Sequence, residues 1–184
     1  MDFVKIQGYK SFKKIAVCLH PINLLIGANG AGKSNFLSLF EMLGNLYEKR
    51  VASYVAQMGG VNKFFYQGLK QTEKIEIEIG QKLNSYVLSL MESDGKLLIA
   101  HEKLGYSYLG QLSSVDIGKY QEEAGLKDYD GMRRGDYIKG YISQIRKFHF
   151  HDTGRRSPFT ADSHIVNDAY RMYEHGENLA AILY

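Results

Sequence analysis

The spacing of apolar residues divides the chain into short strands, a helix, an antiparallel sheet, and a polar stretch that returns to helix. Phe3 to Ile6 and Ile15 to Leu19 read as short strands, and the nearly continuous apolar run from Ile22 to Ile26 predicts a strand buried on both faces. That strand leads straight into a glycine-bearing loop. After Lys33, Phe36, Phe40, Leu43 and Tyr47 recur at helical spacing with Leu39 and Leu46 beside them, which predicts an amphipathic helix. Further on, Ile75, Ile77 and Ile79 alternate with Glu76 and Glu78 as in a strand with one wet face, and Tyr86, Leu88 and Leu90 continue the pattern. Asp94-Gly95 then separates this run from Lys96 to Ala100, the strongest short signal for a hairpin.

From Ser113 to Gly135 the chain is polar and carries glycines, which predicts a connecting region or small insertion instead of a second domain. Ile138, Tyr141, Ile142 and Ile145 restore helical spacing, and Phe148 and Phe150 alternate with His149 and His151, so a helix is expected to feed a strand that Ser157-Pro158 ends. The run from Glu177 to Tyr184 begins an apolar helix with neither a capping glycine nor a polar tail. The expectation is therefore half of a longer protein. No internal repeat or low-complexity tract is visible.

The order strand, glycine loop, helix gives the loop its meaning. Gly27, Gly32, Lys33 and Ser34 in GANGAGKS fit the phosphate-loop spacing of two glycines five residues apart followed by Lys and Ser or Thr. Glycines, including the additional Gly30, let the backbone curl so that the N–H groups of Gly27, Ala28, Asn29, Gly30, Ala31 and Gly32 face phosphate oxygens. The start of the following helix adds its positive dipole end. Lys33 is the catalytic candidate, reaching the β- and γ-phosphates as a point charge. The Ser34 hydroxyl is the metal-ligating candidate for Mg²⁺, and Asn35 is expected beside the α-phosphate. The cofactors implied are ATP and Mg²⁺. The bland alternative is a glycine turn before a helix that binds nothing.

Composition adds limits. The 184 residues suffice for one domain with a real core, and 45% apolar with 23% charged residues is ordinary for a globular protein. Twenty-three Lys and Arg against 20 Asp and Glu leave +3, too mild to argue for nucleic acid by bulk charge. Cys18 is the one cysteine, so no internal disulfide forms, and it reads as a small buried residue in a reducing compartment. No apolar run reaches the roughly 20 residues of a membrane span, and the N-terminus lacks the apolar stretch of a signal peptide. A cytoplasmic protein without a membrane partner is expected.

GANGAGKSN preceded by IQGYKSF resembles the ABC-type ATPase heads of the SMC and RecF group, whose first strand carries a phrase like Gly8-Tyr9-Lys10-Ser11-Phe12. The remainder, with FHFHDT from Phe148 to Thr153 and GENLAAILY from Gly176 to Tyr184, resembles RecF-like AAA ATPases related to the ATPase part of overcoming-lysogenization-defect (OLD) nucleases. This resemblance covers nearly the whole chain. It implies an α/β P-loop NTPase fold, the lobe of an ABC-type head with a mixed sheet, antiparallel hairpins and flanking helices. Within it, residues 1–60 would be the P-loop core, 61–112 the antiparallel sheet, and 113–184 the connecting region, helix, strand and start of a further helix. It also implies that Lys10 and Phe12 lie near the adenine, and that the strand ending at His151-Asp152 occupies roughly the place of a Q-loop residue. A second ATPase head forming a homodimer, or a C-terminal lobe, would be the partner. ATP would bring heads together in DNA repair or antiphage defence and license a nuclease or other effector, with DNA a further partner.

The departures from that family are specific. No Asp-Glu pair occurs for Mg²⁺ and the attacking water; Leu97 to Glu102 lacks the metal-binding Asp and fits a hairpin strand better, and Leu112-Ser113-Ser114 lacks the glycines of a signature segment. Such a chain is expected to bind ATP and hydrolyse it poorly until the missing half is supplied. His149 and His151 form only a pair, so packing or solvation explains them more simply than a metal. An alternative function is a nucleic-acid or protein interaction module with a structural P-loop, using Arg133-Arg134 and Arg155-Arg156. A small-molecule kinase would use the same loop, but the acceptor pocket it needs is not identifiable, and antiparallel hairpins fit an ABC-type head better.

Overall fold

A computed structural model describes residues 1–131, 133–148, 172–173 and 178–183. The first hairpin comprises β1 (Phe3–Tyr9) and β2 (Phe12–Cys18), followed by the glycine loop, α1 (Lys33–Tyr47), α2 (Val51–Gln57) and a 3-10 turn (Val61–Phe64). Four more strands follow: β3 (Lys74–Gln81), β4 (Asn84–Ser93), β5 (Lys96–Tyr108) and β6 (Gln111–Gln121). Helix α3 (Arg133–Ile142) completes a compact unit running from Met1 to Ile145. Arg146–Tyr184 is a second unit, in which Asn178 is buried, accepts the Tyr173 N–H at 2.8 Å and immediately precedes α4 (Leu179–Leu183).

The six strands form one sheet in the order β2-β1-β3-β4-β5-β6, antiparallel at every pairing. It is therefore not the mixed sheet expected above. The segment expected to be a buried strand, Ile22 to Ile26, is not a strand, and Ile22, Leu24 and Ile26 are 90%, 81% and 83% exposed. A run apolar on both faces needs a neighbouring strand on each side and cover above and below. No described strand pairs with it, and the sheet ends at β2. The chain turns away just after β2, where the Asn23 side chain clamps His20, accepting its N–H at 2.9 Å and donating to its carbonyl at 2.6 Å.

Period-two alternation sets the core. Val4 and Ile6, Ile75, Ile77 and Ile79, then Tyr86, Leu88 and Leu90 share one sheet face and are buried. Against them lie Leu39, Met42, Leu43 and Leu46 of α1, Val51, Tyr54 and Val55 of α2, and Ile138 and Ile142 of α3. Each such side chain contributes on the order of 1.5–3 kcal/mol by leaving water. The opposite face carries Lys5, Gln7, Glu76 and Glu78, with Lys5 and Glu78 paired at 2.9 Å.

The hairpin expected at Asp94-Gly95 is present, both residues having the positive φ of its turn (51° and 77°). Leu97 to Glu102 lies on β5, as a strand. The stretch read as a connecting region contains β6. It is an edge strand, mostly exposed, so its polar sequence never shows the alternation that burial would impose. His149, His151, Asp152, Arg155 and Arg156 lie outside the described residues.

One buried polar residue organises the far half of the sheet. Glu102, fully buried on β5, accepts hydrogen bonds from the Tyr86 hydroxyl (2.6 Å), Gln121 Nε2 (2.8 Å) and the N–H groups of Gly125 (2.7 Å) and Leu126 (3.0 Å). Burial and the neighbouring Glu102 push the Tyr86 hydroxyl well above its ordinary pKa, so it stays a donor. The loop so anchored reaches the corner between α1 and α2 through Lys49–Asp128 and Lys127–Glu48. There Glu123 also accepts the Val51 N–H at the start of α2, while burial raises its own carboxyl.

Removing the Glu102 carboxyl strands several buried donors at once, whereas removing the Tyr86 hydroxyl costs one bond. Glu102→Ala should lose about 3–5 kcal/mol of unfolding free energy and Tyr86→Phe about 1–2 kcal/mol in urea titrations. Equal losses would contradict this account of the network.

Candidate nucleotide-binding site

The glycine loop is held by what lies beneath it. Gly32 has φ +93°, and a Cβ there would meet Ser11 Oγ at 3.0 Å and the Phe12 ring at 3.2 Å. Only a residue without a side chain can both turn left-handed and rest on that ring. Helix α1 starts at the next residue with no side-chain cap, so no cap side chain takes up its first N–H groups. Phe12 in turn meets Phe36 edge-on, with centroids 6.4 Å apart.

The β1–β2 turn is fixed from two sides. Toward α1, Asn35 Nδ2 donates to Ser11 Oγ at 2.9 Å, Lys10 Nζ donates to Ser38 Oγ at 2.8 Å, and the Tyr9 hydroxyl lies 3.0 Å from the same oxygen. Burial pushes the Tyr9 hydroxyl well above its ordinary pKa, keeping it a neutral phenol. Toward the segment after α2, Lys10 N–H donates to Phe64 O at 2.8 Å and Tyr66 N–H to Gly8 O at 2.9 Å. Gly8 can approach so closely because a Cβ there would lie 2.3 Å from the Lys74 carbonyl oxygen.

Lys10, Phe12 and the residues expected at the loop from Gly27 to Asn35 fall in this one region, whereas the Q-loop place expected at His151-Asp152 lies outside the described residues. Gly27, Ala28, Asn29, Gly30 and Ala31 form an exposed loop, in which Ala31 N–H closes a turn onto Ala28 O at 3.2 Å. Lys33 Nζ donates to the carbonyls of Gly27 (2.6 Å) and Ala28 (2.8 Å), so its charge already stands over the loop. Ser34 is exposed one residue into the helix, and Asn35 follows it against Ser11. Lys10 lies over the Phe64 ring at 5.2 Å, and Phe12 lies below Gly32 with its ring partly buried against the core. The roles of Ser11 and Ser38 escaped the sequence reading. Ser11 belongs to the run Gly8-Tyr9-Lys10-Ser11-Phe12, but nothing in the local pattern of Ser38 distinguishes it from any helical serine.

The donor set fits a polyphosphate with a divalent cation. A lysine whose present acceptors are two loop carbonyls can exchange them for phosphate oxygens, and an exposed hydroxyl next to it can join a metal's oxygen shell. Across residues 1–157 the chain matches the family model described as AAA ATPase domain. The chain belongs to that family. The match is consistent with an ABC-type ATPase of the RecF, SMC and OLD kind, and it makes the AAA ATPase domain a nucleotide-binding ATPase domain. Members of the AAA ATPase family bind ATP, typically with Mg²⁺. No curated protein matches the chain. Among the described residues of the domain, no helix is long and apolar enough to cross a membrane, and no cluster of three or more His, Cys, Asp or Glu could hold a metal by itself.

Gly32 and Gly30 both have positive φ, but a Cβ at Gly30 meets nothing within 4 Å. Gly32→Ala should therefore lower the melting temperature and MgATP affinity more than Gly30→Ala, the added contact costing about 1–3 kcal/mol beyond the backbone penalty. Identical behaviour of the two variants would refute the seating of Gly32 on Phe12.

Proposed function

We propose that this AAA ATPase domain is the ATP-binding segment of a RecF- and SMC-like ATPase that couples ATP binding and hydrolysis to DNA repair or antiphage defence. The observation that carries the reading is Lys33, first residue of α1, with its ammonium on the carbonyls of Gly27 and Ala28. In this reading the triphosphate takes the place of those carbonyls, Lys33 holds the β- and γ-phosphates, and Asn35 adjoins the α-phosphate. Ser34 would be the chain's ligand to Mg²⁺, which when bound neutralises charge developing on the transferred phosphoryl group. Lys10 and Phe12 would lie on the base side of the loop.

Hydrolysis would need an acidic strand and a signature segment from a second lobe, in the same polypeptide or in a partner. Two considerations support this: the sequence has no Asp-Glu pair, and Glu102, the acid of its nearest imitation, is fully buried and engaged by four donors. Phosphoryl transfer depends mainly on positioned charge around the γ-phosphate, so half a shell binds better than it catalyses. A second head, an effector such as a nuclease, and DNA are the partners this reading calls for.

Calorimetric titration with MgATP should register one site on the 184-residue chain and none on Lys33→Ala. Turnover should stay below about 1 s⁻¹, the low end of ordinary kcat values. Absence of binding, or turnover at or above that rate that Lys33→Ala abolishes, would contradict the proposal.

A further inference from the structure

The sheet has two edges, and they are protected differently. An exposed edge strand offers unpaired N–H and C=O groups to any strand that passes, and natural edges are blunted by charged side chains, bulges or cover. The edge strand β2 carries the exposed Lys13 and Lys14. On β6, the half that runs into the following loop has Asp116 ion-paired with Lys103 and Lys119, and Ile117 bulges between the pairs Lys103–Asp116 and Glu102–Gly118. The half next to the β5–β6 turn has none of these devices. From Leu104 to Val115 the chain holds no charged residue, although 23% of the whole is charged.

The same half is where the strand is open. Gln111 to Ser114 are exposed, Leu112 by 85%, and at the turn Leu109 and Tyr108 are 86% and 54% exposed. Leu109 and Gly110 form a two-residue turn, both with positive φ (48° and 80°), so Tyr108 and Gln111 flank it as a hydrogen-bonded pair. Bonded and non-bonded pairs alternate along an antiparallel ladder, which turns the backbone groups of Leu112, Ser114 and Asp116 away from β5. Among the described residues, no strand pairs with that side.

We propose that the edge of β6 from Gln111 to Val115 pairs antiparallel with the same edge of a second copy of this chain, about a two-fold axis at Ser113. The occupant follows from the strand's own pattern. In that register Leu112 and Ser114 of one copy lie opposite Ser114 and Leu112 of the other, so residues with outward backbone groups meet each other and the bonds close in both directions. Ser113 faces its own counterpart, Gln111 meets Val115 and Asp116 meets Gly110, so no charge stands opposite another. The pairing also draws Leu112 out of water on both copies. Because the overlap is short, the dimer exchanges with monomer in the micromolar range. It needs no nucleotide, which sets it apart from an ATP-dependent joining of two heads, and it does not rest on the glycine loop being filled.

The test is a charge swap at the axis. Ser113 meets its counterpart as a non-hydrogen-bonded pair, the kind in which facing side chains come closest, so like charges placed there repel directly. Sedimentation equilibrium of the full chain at about 100 μM, well above a micromolar Kd, compares wild type, Lys33→Ala, Ser113→Lys, Ser113→Glu and an equimolar mixture of the last two, after thermal melting has shown each fold intact. Wild type without nucleotide and Lys33→Ala should both weigh twice the 20.9 kDa of one chain. Ser113→Lys alone and Ser113→Glu alone should be monomers, and their mixture should recover the dimer. A monomeric wild type overturns the proposal, whether the edge then stays bare or takes a strand from a different protein. A dimer that forms only with MgATP, that survives in either single variant, or that the mixture fails to recover overturns it as well.

Discussion

The seat of Gly32 on Phe12 is the constraint from which the site is built. A left-handed residue lacking a Cβ turns the chain out of the loop and into α1, and the same missing Cβ lets the helix start rest on the first hairpin. The contact makes a sequence-local feature, the glycine loop, depend on a turn about twenty residues earlier in the chain. Asn35 to Ser11, and Lys10 and Tyr9 to Ser38, repeat that dependence one and two helical turns on. The loop is therefore shaped by the sheet as well as by its own glycines.

The other end of α1 is held differently. Leu43 and Leu46 are buried in the core, while the corner to α2 meets the loop after β6 through Lys49–Asp128, Lys127–Glu48 and the Glu123 acceptor at Val51. Exposed ion pairs of this kind contribute little individually, about 0–1 kcal/mol each. The binding of Gly125 and Leu126 to Glu102 does more, since it fixes the loop to the buried side of the sheet and leaves the ion pairs only to orient it. Helix α1 thus spans a hairpin that touches the glycine loop and a loop that reports on β5, and both contacts are polar anchors placed around an apolar middle.

Much of this was legible in the chain because the physics was local. Alternation at Ile75, Ile77 and Ile79, the Asp94-Gly95 turn, and the 3.6-residue stripe of α1 each follow from one element's own period. The candidate phosphate residues were legible for the same reason: a loop that must present amides and a cation needs glycines and Lys33 at fixed spacing. What failed depended on neighbours. Ile22 to Ile26 has the composition of a buried strand, but composition states what a segment could bury, and no described strand covers it. β6 was hidden by the opposite effect, since an edge strand can be polar throughout and still be paired along one side.

The central claim is that loop and hairpin form one mechanical unit through Gly32. Its most direct test is the amide spectrum of the ¹⁵N-labelled chain as magnesium tripolyphosphate, which has no base to touch the hairpin, is added. The account predicts that signals of Gly27 to Asn35 and those of Lys10, Ser11 and Phe12 shift together along one saturation curve. Shifts in the loop that leave the hairpin turn unmoved, or no shifts in the loop at all, would contradict it.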